Sequence, residues 1–202
     1  MGDEYLSAYP KITDYSWQKR RDYLVLVAAI AMADQQLHPD EKQLLNRWMD
    51  EFHLTPKGRE AVLAVLRRRK INIRAIELRL AKSELIYSLV LDMMGMAMAD
   101  GVLMDDEIYL LRDVATNLKI DPTDFNILIE FVHSAHQAAT LSSPEPLYEH
   151  NIDSAFQLLR SHEVSLFPHT LMCVSNPDFD RQLKARWAKF LIKRPNSRGK
   201  RR

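Results

Sequence analysis

At 202 residues the chain is long enough to bury a full-sized core, and its formal net charge of +1 marks it as neither strongly acidic nor strongly basic overall. With 47% hydrophobic and 27% charged residues and only five glycines, it has the composition of a soluble globular protein that favours helix over sheet. The one cysteine, Cys173, excludes an internal disulfide framework and fits a reducing, cytoplasmic setting, and the longest apolar run, the 11 residues Tyr23 to Ala33, falls short of the ~18 needed to span a bilayer.

Residues 1–14 read as an N-terminal arm whose start, MGDEYLSAYP, is acidic and broken by proline, unlike a secretory signal. Tyr15 to Asp34 has the spacing of a helix, with Tyr23, Leu24, Val27, Ile30 and Ala31 on one side. After a break at Gln35 to His38, Pro39 suits the first turn of a second helix running to about Phe52, with Asp40 and Glu41 near its positive end. Thr55-Pro56 opens a third, to about Arg69. Ile73 to Ala99 is a long helical stretch with a break expected near Lys82-Ser83, and helices follow at about Asp105 to Leu118 and Pro122 to Ala139. No stretch alternates long enough for a strand. Residues 140–150, containing TLSSPEP, read as a linker. Residues 151–193 read as a C-terminal helical extension, with an amphipathic helix from Pro177 to Lys193 that packs either on the main body or on a partner, and residues 194–202 (RPNSRGKRR) as a basic disordered tail.

The chain repeats itself. Ala31 to Pro56 aligns without a gap to Ala97 to Pro122, each residue displaced by 66, and ten of the 26 positions are identical, among them Asp34/Asp100, Glu41/Glu107, Leu44/Leu110 and Pro56/Pro122. An internal repeat longer than one supersecondary unit predicts two similar helical halves, about 24–66 and 90–132, packed around a pseudo-twofold axis.

Charge is unevenly spread. From Pro177 onward there are ten Lys/Arg against two Asp/Glu, a local +8, so the first 176 residues carry −7. Arg67, Arg68, Arg69, Lys70 and Arg74 form a second basic cluster between the repeats. Both patches are candidates for meeting a protein partner, an anionic membrane or nucleic acid, the plainer alternative being solvated surface. The candidate partner-binding set is Arg67, Arg68, Arg69, Lys70, Arg181, Lys184, Trp187 and Lys189. Few aromatics interleave with these residues, so base stacking is poorly supported.

The string AMADG…LMDDE, with an apolar helix before it and LLRDVATNLKIDP after it, resembles the TerB-like family named for tellurite resistance proteins, over roughly Leu24 to Ala138. The first copy departs by carrying Gln35 in place of the family's Gly, and both copies carry His38 or Met104 where the family has a Ser/Thr cap. The resemblance implies an all-α bundle of two pseudo-symmetric halves and a role in stress response, defence or toxic-ion resistance. It also implies a candidate divalent-cation site (calcium, magnesium or manganese) at Asp34 and Glu41 in the first copy and Asp100 and Glu107 in the second, with Asp105 and Asp106 adding charge. The structural alternative is that Glu41 and Glu107 reach back to the N–H of their own helix caps, three residues earlier, while Asp34 and Asp100 hold turns.

Other features carry less. Glu130, His133 and His136 lie at i, i+3, i+6 without a further ligand on that helix, Cys173 has no base beside it in sequence, and no phosphate loop, nucleophile elbow or CxxC pair is present. The leading expectation is a non-enzymatic, cytoplasmic TerB-like interaction module with no cofactor implied other than a divalent cation, reaching the inner membrane, if at all, through a partner. A divalent-cation binder is the first alternative and an electrostatic binder of nucleic acid or membrane the second.

Overall fold

The computed structural model describes residues 10–33, 35–67, 70–99, 103–140, 146–164, 179, 181–183 and 185–187. Their regular structure is helix joined by short turns, and no strand occurs among them. A 3₁₀ turn at Ile12–Asp14 leads into α1 (Trp17–Ile30), α2 (Pro39–Glu51), α3 (Pro56–Leu66), α4 (Ile73–Leu80), α5 (Ile86–Ala97), α6 (Asp105–Asn117), α7 (Pro122–Thr140) and α8 (Pro146–Ser161).

Local chemistry sets the helix starts. Ser16, Thr55 and Asn72 each accept a backbone N–H three residues on (Lys19 3.3 Å, Gly58 3.2 Å, Ala75 2.9 Å), and Asp121 accepts that of Thr123 at 2.7 Å. Each satisfies a donor that the first helical turn would otherwise leave open. Prolines stand at the first position of α2 and α3, where no hydrogen bond is lost.

The 66-residue repeat is reproduced in three dimensions. α2 and α6 begin and end at positions 66 apart, as do the starts of α3 and α7. Both α2 and α6 end in the same closing motif. His53 N–H bonds to Asp50 C=O and Leu54 N–H to Met49 C=O; 66 residues on, Lys119 N–H bonds to Thr116 C=O and Ile120 N–H to Ala115 C=O. This Schellman arrangement requires a left-handed residue after the cap, and His53 (φ 47°) and Lys119 (φ 68°) adopt it although neither is glycine. α8 closes the same way with Glu163 at φ 55° and Val164 bonded back to Leu159.

The packing closes under exchange of the halves. α1 lies against α2 and α3 as α5 lies against α6 and α7, and across the middle α1 meets α6 while α2 meets α5. With α1 and α5 in mutual contact at the centre, this is a pseudo-twofold, as the repeat predicts. Leu24, Val27 and Ile30 of α1 and Leu89, Leu91 and Met93 of α5 are fully buried there, and Tyr23 donates its hydroxyl to Asp92 Oδ2 at 2.7 Å, both buried. The phenol's pKa is pushed well above its ordinary value, first by burial and then by the Asp92 charge. α4 breaks the symmetry, packing on α1 and α6, and the chain turns from it into α5 at Ala81 to Leu85, where a break was expected.

Two boundaries differ from the sequence reading. α8 starts at Pro146, so the second half of the expected 140–150 linker is helix; proline is tolerated in a first turn, and the apolar series Ile152, Ala155, Phe156, Leu159 fixes one face of α8 on α7. The 151–193 extension is also continuous with the core. Phe131 of α7 meets Phe156 (ring centroids 5.9 Å), Phe156 meets Trp187 edge-on (5.3 Å), and Phe179, Leu183 and Trp187 are all buried in the same hydrophobic cluster. The expected Val164 to Val174 stretch, apart from buried Val164, and the tail lie outside the described residues.

Candidate functional site

The expected cation site divides. Asp34 and Asp100 lie outside the described residues. Glu41 and Glu107 are buried and hold equivalent positions: Glu41 Oε2 accepts the His38 N–H at 2.8 Å and Glu107 Oε2 the Met104 N–H at 2.8 Å. Each carboxylate therefore commits one oxygen to its own helix start, in the capping role that was the structural alternative. Asp105 and Asp106 are exposed in the first turn of α6. Among the described residues no group of three or more His, Cys, Asp or Glu is placed to hold a metal ion.

The basic cluster between the repeats is engaged with the protein itself. Arg67 pairs with Glu60 (2.9 Å) and Arg74 with the buried Glu77 (3.3 Å), which also accepts from Asn117 of α6 (3.0 Å). Lys70 is exposed, while Arg68 and Arg69 lie outside the described residues. At the C-terminal end, Arg181 is exposed and Lys184 and Lys189 lie outside the described residues. Trp187 corrects the partner-binding set: it is 1% exposed, packed against Phe156, and so belongs to the core. Of the two fates open to the amphipathic helix, its apolar side has taken the main body. Arg186, which the sequence reading did not single out, fastens the same segment by pairing with Glu149 and Asp153 of α8.

A second tie holds the end of α8. Tyr87 of α5 donates to Asp124 Oδ2 of α7 (2.8 Å), and His162 Nε2 lies 2.8 Å from the Tyr87 oxygen and 3.0 Å from Asp124 Oδ2. A proton on His162 Nε2 serves both oxygens, and the imidazole stacks on the Tyr87 ring with centroids 4.2 Å apart. Burial and the Asp124 hydrogen bond raise the Tyr87 pKa, keeping the phenol a neutral donor. These three residues are 37 and 75 positions apart, so no local motif announces them.

What remains open to solvent is apolar in an unexpected place. Leu78 of α4 is 60% exposed, and at the start of α6 Met104 is 50% and Tyr109 71% exposed. On a helix, Tyr109 is neighboured by Asp105 and Asp113 at four residues and by Asp106 and Arg112 at three, all exposed, a net charge of −2 around the ring. An aromatic ring standing in solvent amid three carboxylates has the composition of an interaction anchor. The sequence signal was available: in the apolar stripe Leu103, Leu110, Leu111, Val114, Leu118, Tyr109 falls on the wrong side.

Among the described residues no helix is long and apolar enough to cross a membrane. Compared with known proteins, residues 71–129 match the family model described as tellurite resistance protein TerB. The match runs from just before α4 into α7 and covers most of the second copy, the one that keeps Gly101 and Asp105 where the first has Gln35 and Pro39. Neither the curated proteins nor the solved structures searched contain a match.

Proposed function

Taking as premise that the chain carries a TerB-like domain, we propose that it acts as a non-enzymatic interaction module that docks a basic protein segment on the exposed face of α6. The observation that carries this reading is Tyr109, 71% exposed among Asp105, Asp106 and Asp113. A flat aromatic ring contributes large contact area at low entropic cost, and the carboxylates favour Lys/Arg on the partner and speed its approach. The titratable groups deeper in the fold support the same reading, because Glu41 and Glu107 cap helices, Asp22 is held by Arg21 (2.6 Å) and Arg79 (2.7 Å), and Asp124 ties α8. They act as fasteners of a rigid body.

The test compares proteins captured by the intact chain with those captured by Tyr109→Glu and by Leu78→Ser, each first checked for an unchanged melt. Loss of a discrete interactor with Tyr109→Glu supports docking at α6. Identical interactors from all three, or interactors lost only when residues 194–202 are removed, would transfer the role to the basic tail.

A further inference from the structure

The two copies differ most usefully where the second helix of each half hands over to the third. In the first copy this corner is filled by Arg59. Its guanidinium donates to Leu54 C=O (3.3 Å) and Met49 C=O (3.2 Å) and pairs with Asp50 Oδ1 (2.6 Å). The residues displaced by 66 are different in kind: Phe125 for Arg59, Ala115 for Met49, Thr116 for Asp50, and Arg112 for Asn46. The result is a notch of about 200 Å³ lined by Arg112, Ala115, Thr116, Ile120, Pro122, Phe125 and Asn126.

Its chemistry is specific. Phe125 is buried and lines the notch, and the Arg112 guanidinium carbon lies over its ring, 5.8 Å from the centroid. Arg112 has no ion pair among the described residues, and Asp121 at the start of α7 accepts the Thr123 N–H. An arginine held over an aromatic ring with no carboxylate partner is preorganised to receive one. The remaining wall, Ala115, Ile120 and Pro122, is apolar, and Asn126 adds an amide at the rim. A volume of this size admits a body comparable to one side chain and excludes a nucleotide or an extended cofactor.

We propose that this notch binds a small apolar carboxylate, the acid pairing with Arg112 and the apolar body resting on Phe125 and Ile120. The acid is either a free organic acid or the C-terminal residue of a peptide, and the two sources share this chemistry. Tyr109 and its acidic neighbours do not line the notch, and although Arg112 lies three residues after Tyr109 on α6, the buried Ala115 and Phe125 do not reach the docking face, so variants there separate failure of the notch from failure of the docking face.

The full chain, ¹⁵N-labelled, is titrated with phenylacetate, with uncharged phenylacetamide, and with a short peptide ending in phenylalanine as free acid or amide. Saturable shifts confined to the amides around Arg112, Thr116 and Phe125 are expected for the acids, with the amides binding about tenfold or more weaker, as loss of a charged hydrogen bond requires. Arg112→Gln, on an exposed side chain, should weaken the acids by the same factor. Ala115→Met, which carries the first copy's residue into the notch, should block binding, with unchanged amide shifts outside α6 and α7 reporting that the fold is kept. A peptide acid binding more tightly than phenylacetate identifies a chain terminus as the source; the reverse identifies a free acid. Equal binding of acid and amide, unchanged binding by Arg112→Gln, or shifts scattered over the surface would overturn the proposal.

Discussion

Tyr23→Phe removes one oxygen from the centre of the pseudo-twofold and tests whether the halves are locked there. The hydroxyl donates to Asp92 Oδ2 over 2.7 Å between two side chains that are both fully buried. A hydrogen bond to a charged partner contributes about 1.5–3 kcal/mol, and its loss leaves the buried carboxylate with one donor fewer. Both residues are at 0% exposure, so bulk solvent does not replace the lost donor and little of the loss is recovered. A destabilisation of about 2 kcal/mol is expected, which for a chain of this size lowers Tm by roughly 4–8 °C. Urea unfolding followed by circular dichroism at 222 nm measures it, with the slope unchanged from wild type. Asp92→Asn and the double variant complete a cycle, and the double should cost clearly less than the two single losses added. A Tyr23→Phe loss under about 0.5 kcal/mol, or strict additivity, would refute the claim that this bond joins the halves.

Three further outcomes follow from the same contacts. The raised Tyr23 pKa means that its contribution to stability is fully present below the unfolded value of 10.0 and is lost as pH rises toward the folded value. The stability gap between wild type and Tyr23→Phe should therefore narrow above pH 10 and stay constant between pH 7 and 9, read from urea midpoints at each pH. Lys119→Gly should raise stability by about 0.5 kcal/mol by relieving a left-handed residue, while Lys119→Val lowers it, both seen in thermal melts. Trp187→Ala should cost about 3–5 kcal/mol, and a chain ended at Asn176 should be impaired further, because it loses Phe179 and Leu183 from the core as well; an unchanged melt for either would detach this segment from the domain.

Much of the fold was legible because its strongest signals are local or repeated. The 66-residue displacement placed α2 against α6 residue for residue, and the Glu three positions after each cap marked the helix starts at Pro39 and Asp105. Ser83 lay at the break between α4 and α5, where its hydroxyl accepts the Leu85 N–H. What the sequence could not supply was choice between partners. The apolar side of the Trp187 helix fits a core or a second protein equally well, and only the presence of Phe156 on α8 decides it. The Tyr87, Asp124 and His162 cluster joins three elements far apart in the chain. The α6–α7 notch arises from a difference between copies, Arg59 against Phe125, whose meaning depends on knowing that Arg59 turns back to its own helix end.

The most direct test of the docking face places a photocrosslinking benzoylphenylalanine at Tyr109, in the cells that make the protein, with Lys57, exposed on α3, as control. Docking at α6 predicts a discrete adduct from position 109 that is absent from position 57 and weakened when Asp105, Asp106 and Asp113 are replaced by Asn. The same adducts from both positions, or none from 109 while the protein is folded and expressed, would contradict it.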